Sequence, residues 1–221
     1  MAIPLTPASE QALEHLRDPA TLEWYVIPLL ALVLYVYTRE IKEARQTGSW
    51  DAVQAGLTLF GMDFVNETVN GWILALSGRS ALWTAPGKTA LRTMVGWNIE
   101  IMFMFALGGL VFFHTLSEKR DARICGLPDR WFWAIAYSAF CVAVECVLNA
   151  GGHLVWEYPF WNRSLGGVWL IFLFGYFHFY VATILVLGMR SAKRRWAVIG
   201  SLYGLATVLN VIGMGVMGFR Y

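Results

Sequence analysis

The sequence predicts an all-α, polytopic integral membrane protein, a bundle of six transmembrane helices preceded by a short N-terminal surface helix. Three observations carry that prediction. Hydrophobic residues make up 57% of the chain and charged residues 14%, and the mean hydropathy is +0.52, too apolar for a soluble domain of 221 residues. Apolar stretches long enough for a hydrocarbon core of ~30 Å recur along the chain. The basic residues gather in short loops between those stretches, as the positive-inside rule expects. With only short loops there is no room for a separate soluble unit, so residues 1–221 read as one membrane-embedded domain.

Residues 1–20 read as an external N-terminal segment. In "TPASEQALEHLRD", Thr6 is an N-cap, Pro7 takes the first helical position, Glu10 sits in the first turn, and Leu13 and Leu16 mark one apolar side. No basic stretch leads into an apolar one there, so a cleaved secretory signal is not expected. The spans follow at about 22–38, 52–77, 91–116, 131–151, 165–189 and 196–219. Arg39, Lys42 and Arg45, then Lys119, Arg120, Arg123 and Arg130, then Arg190, Lys193, Arg194 and Arg195 all fall on one side of a six-span chain. That side is expected to be cytoplasmic, with the N- and C-termini external or periplasmic. Trp residues in the opposite loops, "SGRSALWTAPGKTALR" and "GGHLVWEYPFWNRSLGG", fit an aromatic belt. A net charge of +2, spread over short loops, gives nucleic acid no footing as a partner. Cys125, Cys141 and Cys146 do not form a disulfide framework.

Polar residues inside the spans are the candidate site. Asp63, Asn66, Glu67 and Asn70 fall within a wedge of roughly 100° on the second span. A charged residue at mid-bilayer costs ~2.5–3.5 kcal/mol on insertion scales, so this stripe should face protein or water. The third span is expected to carry Thr93, Trp97 and Glu100 along one face, and the fourth Glu145 and Asn149, with His153 and Glu157 beyond. Tyr176 and Tyr180 share a face of the fifth span with His178 opposite, and Asn210 follows Tyr203 and Thr207 on the sixth. At ~1.5 Å per residue, Glu67, Glu100 and Glu145 lie about 9 to 15 Å below the outer boundary and can meet in one layer. The expectation is a polar chamber among spans two, three and four, roofed by His153, Trp156 and Glu157. The alternative is that these groups are interhelical hydrogen-bond glue, worth about 0.6 kcal/mol and up to ~2 each. That alternative weighs most for Asn70, Asn149 and Asn210.

The chain lacks phosphate-loop, nucleophile-elbow, zinc-protease and paired-aspartate diphosphate motifs, and no lysine lies inside a span. What remains favours an enzyme acting on a lipophilic small molecule drawn from the membrane lipid, with no cofactor. Glu67, Glu100 and Glu145 would be the acid and base, one of them holding a proton near neutral pH. Asp63, Asn66, Asn70, Trp97, Asn149, His153, Trp156, Glu157, Tyr176 and Asn210 would line the substrate. Aromatic faces from Trp97, Trp156 or Tyr176 could stabilise a carbocation. Two other classes fit the same residues. One is a metal enzyme with ligands from Glu67, Glu100, Glu145, His153 and His178. The other is a proton-coupled small-molecule transporter.

Trp-Asn-Ile-Glu at residues 97–100, in a small all-helical membrane protein, resembles the integral-membrane terpene cyclases and the emopamil-binding sterol isomerases. The resemblance covers the architecture and those four positions. It implies intramembrane carboxylates working beside aromatic residues, in an isomerase, cyclase or hydratase type of reaction on an isoprenoid, sterol or lipid-like substrate.

Overall fold

The computed structural model describes residues 4–119 and 121–221. Arg120, counted above in a basic cluster, lies outside the described residues, as do residues 1–3. The helices are α1 (Pro7–Glu14), α2 (Val26–Thr47), α3 (Asp51–Ser77), α4 (Ile99–Thr115), α5 (Asp129–Ala150), α6 (Leu165–Gly188) and α7 (Ala192–Val216). Their ends follow local chemistry. Asn98 and Ser164 cap α4 and α6 by accepting from the backbone N–H groups of Ile101 and Gly167. Gly48 and Gly78 end α2 and α3 at φ of 78° and 60°, a left-handed conformation that glycine adopts without strain.

Among the described residues, three helices are long and apolar enough to cross a membrane: α5, α6 and α7. The apolar α4 has 17 residues, about 26 Å at 1.5 Å each and shorter than a ~30 Å core. Apolarity alone does not mark α2, whose last turns carry Arg39, Lys42 and Arg45, or α3, which carries the polar stripe. The expected first span of 22–38 is displaced, because the helix starts at Val26 and runs on to Thr47. The expected third span is shortened at its start. Residues 92–98 form an antiparallel hairpin, β2 (Arg92–Met94) with β3 (Trp97–Asn98), and the helix begins only at Ile99.

The second helix of the bundle, α3, is its axis and packs against α2, α4, α6 and α7. Its close approach to α4 depends on Gly56 and Gly109. A Cβ on Gly109 would lie 2.4 Å from the Ala55 carbonyl oxygen and 2.7 Å from the Gly56 Cα. Because α3 is enclosed by neighbours, it can bury Gln54, Thr58, Asp63, Glu67, Thr68 and Asn70 without showing them to lipid. Large apolar side chains exposed on the bundle surface, such as Ile27 on α2, Val147 on α5, Phe174 on α6 and Val208 on α7, suit a hydrocarbon surrounding.

The ends of the bundle differ in character. At one end the basic loops meet: Arg195 pairs with Asp51 and donates to the backbone carbonyls of Leu187 and Met189 at 2.8 Å, joining α3, α6 and α7. At the other, α1 lies across the loops. Thr6 caps it and donates to Glu157, and the buried Arg92 guanidinium donates to the carbonyls of Ala85, Gly87 and Ala12. There β1 (Trp83–Thr84) pairs with Val155–Trp156, joining the loop after α3 to the loop after α5. None of the three cysteines is paired.

Candidate functional site

A cavity of about 120 Å³ lies within the bundle near its α1 end, walled by α3, α4, α5 and the middle of α6. The polar part of its wall is Asp63, Asn66 and Glu67 from α3, Glu145 from α5 and Tyr176 from α6. Asp63, Glu67 and Glu145 thus share the wall of a single cavity. The rest is apolar or aromatic, with Phe105 from α4 stacked on Tyr176 at 6.1 Å between ring centroids.

Two of the carboxyls are held by indoles. Trp97 donates from Nε1 to Asp63 Oδ2 at 2.7 Å, and Trp83 donates from Nε1 to Glu67 Oε1 at 2.7 Å. Each hydrogen bond to a charged group is worth ~1.5–3 kcal/mol, the same size as the ~2.5–3.5 kcal/mol cost of placing such a residue at mid-bilayer. The indoles are themselves fixed. Trp97 lies between Phe60 and Phe64, at 5.6 and 5.3 Å. Trp83 is anchored through its backbone, since Asn70 Nδ2 donates to the Trp83 carbonyl at 2.8 Å and Asn70 Oδ1 accepts from the N–H groups of Leu82 and Trp83. Gly96 lets the hairpin press against this arrangement: a Cβ there would stand 2.6 Å from the Trp83 ring and 2.7 Å from Asn70 Nδ2.

Tyr176 reaches the cavity because α6 contains a π-turn over Phe172–Phe177. Such a turn inserts one extra residue and loosens the backbone hydrogen bonds. Side chains take up two of its carbonyls, with Asn66 Nδ2 donating to Phe174 at 3.3 Å and the His178 ring 3.2 Å from the Leu173 oxygen.

Several expected site residues are elsewhere. Glu100 does not join Glu67 and Glu145, because the hairpin replaces the helix that would have carried it inward. From the first turn of α4 its carboxylate accepts from the Tyr25 and Thr89 hydroxyls and from the Ala90 N–H, which ties the start of α2 to the loop before the hairpin. Thr93 and Trp97 share no helical face with Glu100, and the Thr93 hydroxyl donates to the Trp97 carbonyl across the hairpin. The roof exists but is made of other residues. Leu154 and Trp161 cover the cavity, whereas His153 is exposed, Trp156 lies in the strand pair and Glu157 is held by Thr6. Asn149 donates to the Leu154 carbonyl at 2.9 Å and so shapes that roof without lining the chamber. Asn210 donates to Thr68 and accepts from the Tyr221 hydroxyl, joining α7 to α3 away from the cavity. The ligand set of the metal alternative is therefore dispersed, and among the described residues no group of three His, Cys, Asp or Glu is placed to hold a metal ion.

Other wall residues were not anticipated. Trp83 and Trp161 read as belt tryptophans in sequence, yet they stack on each other at 5.7 Å inside the roof. Cys141, Met104 and Phe140 also line the cavity. A helical projection of residues 141 and 145 would have grouped Cys141 with Glu145, one turn apart.

Residues 6–215 match a family described as "Uncharacterized membrane protein family". An uncharacterized protein of Archaeoglobus fulgidus is 41% identical over 212 residues, covering 96% of this chain and 98% of its own. No solved structure matches.

Proposed function

The chain belongs to this uncharacterized membrane protein family, and on that footing we propose that it is a membrane-embedded enzyme moving protons on a lipophilic substrate by carboxylate acid–base chemistry. The observation that carries the reading is the convergence of Asp63, Glu67 and Glu145, from two helices, on one largely apolar cavity. The reaction type is an isomerisation, cyclisation or hydration of an isoprenoid, sterol or related lipid. One carboxylic acid gives its proton to an alkene carbon, and a neighbouring carboxylate takes a proton from an adjacent carbon or from the attacking water. Transfer between the close carboxyls then restores the starting state. Trp161, Phe105 and Tyr176 offer ring faces to the intervening cation. Trp97 and Trp156, cast in that role by the sequence, do not line the cavity.

All three reaction types place a solvent-derived proton on carbon. Reconstituted protein incubated in D₂O with a membrane lipid extract should therefore put non-exchangeable deuterium into a lipid species, read by mass spectrometry. Glu145→Gln should abolish that incorporation. Incorporation that persists unchanged in both Glu67→Gln and Glu145→Gln would sink the mechanism.

The same reading includes six crossings, α2 to α7, with the basic loops cytoplasmic and both termini outside. It is supported by the apolar exposed face of α2 and by the gathering of the three basic loops at one end, where Glu43, Arg130 and Arg190 border one surface hollow. A cysteine at the exposed Lys88 should react with a membrane-impermeant thiol reagent in intact cells and one at Lys193 should not. The opposite pattern would invert the topology.

A further inference from the structure

The cavity has a way in from the side, and its unpartnered atoms specify what comes through. Resting on the acid–base reading above, we propose that the ligand is a long-chain lipid alcohol, which enters from the hydrocarbon between α4 and α5 with its hydroxyl leading. Size is the first argument. A cavity of about 120 Å³ is smaller than the ~150 Å³ cavity that accepts benzene, so it holds only the leading end of a lipid and the tail must trail outside.

The wall shows where the tail goes. Met104 on α4, with Phe140 and Leu148 on α5, line the cavity and are also 49%, 65% and 37% exposed on the flank of the bundle. The opening is thus framed by apolar side chains that already face the surrounding hydrocarbon. α5 packs mainly on the π-turn of α6 and only lightly on α4, so the seam between α4 and α5 is the loosely closed side of the chamber.

Two orphaned polar atoms identify the leading group. Glu67 Oε2 and Trp161 Nε1 are buried without a hydrogen-bond partner, and both residues are 4% exposed and belong to the cavity wall. With Glu67 as the ionised partner of the acid–base pair, its oxygen needs a donor, and the indole N–H of Trp161 needs an acceptor. A hydroxyl supplies both in one atom group, donating to the carboxylate and accepting from the indole N–H. A carbonyl or ether oxygen would satisfy only Trp161, and an ammonium only Glu67.

A photolabel tests this without requiring turnover. The protein is reconstituted in vesicles containing a trace of hexadecanol that carries a diazirine three carbons from the hydroxyl, irradiated, digested and mapped by mass spectrometry. Adducts are expected on Glu67, Glu145 or Tyr176. Excess plain hexadecanol should suppress these at least tenfold more effectively than hexadecane, and should leave adducts at lipid-facing Val208 unchanged. Trp161→Phe should erase most of the preference for the alcohol. Met104→Trp, or Phe140→Trp if the former does not fold, should cut inner-wall labelling at least fivefold without affecting Val208. Labelling confined to lipid-facing residues would overturn the site. Equal competition by hexadecane would overturn the hydroxyl, and inner-wall labelling unaffected by the tryptophan variants would overturn the route. Saturable inner-wall labelling with no deuterium transfer would reject the catalytic reading while leaving the binding site standing.

Discussion

Glu67 and Glu100 are the same side chain in two opposite situations. Glu67 is buried on the central helix, with one oxygen held by an indole and the other without a partner. Glu100, in the first turn of a shorter helix, receives three donors from Tyr25, Thr89 and Ala90. A carboxylate whose acceptors are all engaged is a fastener, because exchanging a proton would cost it those bonds. One with an unpartnered oxygen, on a residue of the cavity wall, is available to a ligand. Depth in the membrane, which put the two in one layer on paper, does not separate these cases. The count of fixed donors does.

The widest predicted separation is catalytic. Glu67→Gln should lower deuterium transfer by about 10²–10⁴-fold, the usual weight of a general acid or base, while Glu100→Gln should stay within about threefold of the parent. Comparable losses in both would erase the distinction. Next comes stability, where the order reverses. Glu100→Leu strips a charged acceptor from three donors, all only part-buried and able to turn to water, so it should cost roughly 2–4 kcal/mol, less than three times the ~1.5–3 kcal/mol of a single such bond, seen as a lower thermal midpoint. Glu67→Gln should leave that midpoint nearly unchanged. A smaller effect is expected from Gly96→Ala. Its new methyl would meet the Trp83 ring, and overpacking of this kind costs about 1–3 kcal/mol. The variant should lose activity through displacement of the indole that holds Glu67, and a fully active Gly96→Ala would show that Trp83 does not position it. Smallest is Trp97→Phe. It keeps the stack with Phe60 and Phe64 but leaves Asp63 without its N–H donor, so about 1–2 kcal/mol of stability should go, with activity falling less than in Glu67→Gln.

Much of α3 could be read directly, because a 3.6-residue period shows on paper which side chains share a face, and 63, 66, 67 and 70 do. Glu145 comes from counting depth along a regular helix, and it lines the same cavity as Glu67. The stretch before Glu100 defeated the same arithmetic. Met94-Val95-Gly96-Trp97 is as apolar as a span, and nothing local says that the chain reverses there. What decides it is the fit of Gly96 against Trp83 and Asn70, a contact between distant parts of the sequence. Glu100's partners Tyr25 and Thr89 are equally invisible, since they belong to other segments. Trp83 and Trp161 carry no mark that separates them from tryptophans at a membrane interface. The roof residues were misjudged because the turn at Gly151-Gly152 ends helical periodicity, after which position along the chain no longer predicts direction.

The π-turn in α6 has a consequence beyond placing one tyrosine. Each residue advances an α-helix by about 100°, but the wider turn between Phe172 and Phe177 takes up its extra residue locally, so the two halves of α6 keep the phase of an α-helix one residue shorter. Deleting one residue there would let the turn relax to ordinary α geometry. Leu165 to Ile171 would keep their faces toward the bundle, and the change would be confined to the turn that carries Tyr176. A single codon lost or gained at this point would therefore rebuild one patch of the chamber wall, around Gly175 and Tyr176, while leaving the rest of the bundle in register, a route to altered ligand choice that residue-by-residue comparison of substitutions would overlook.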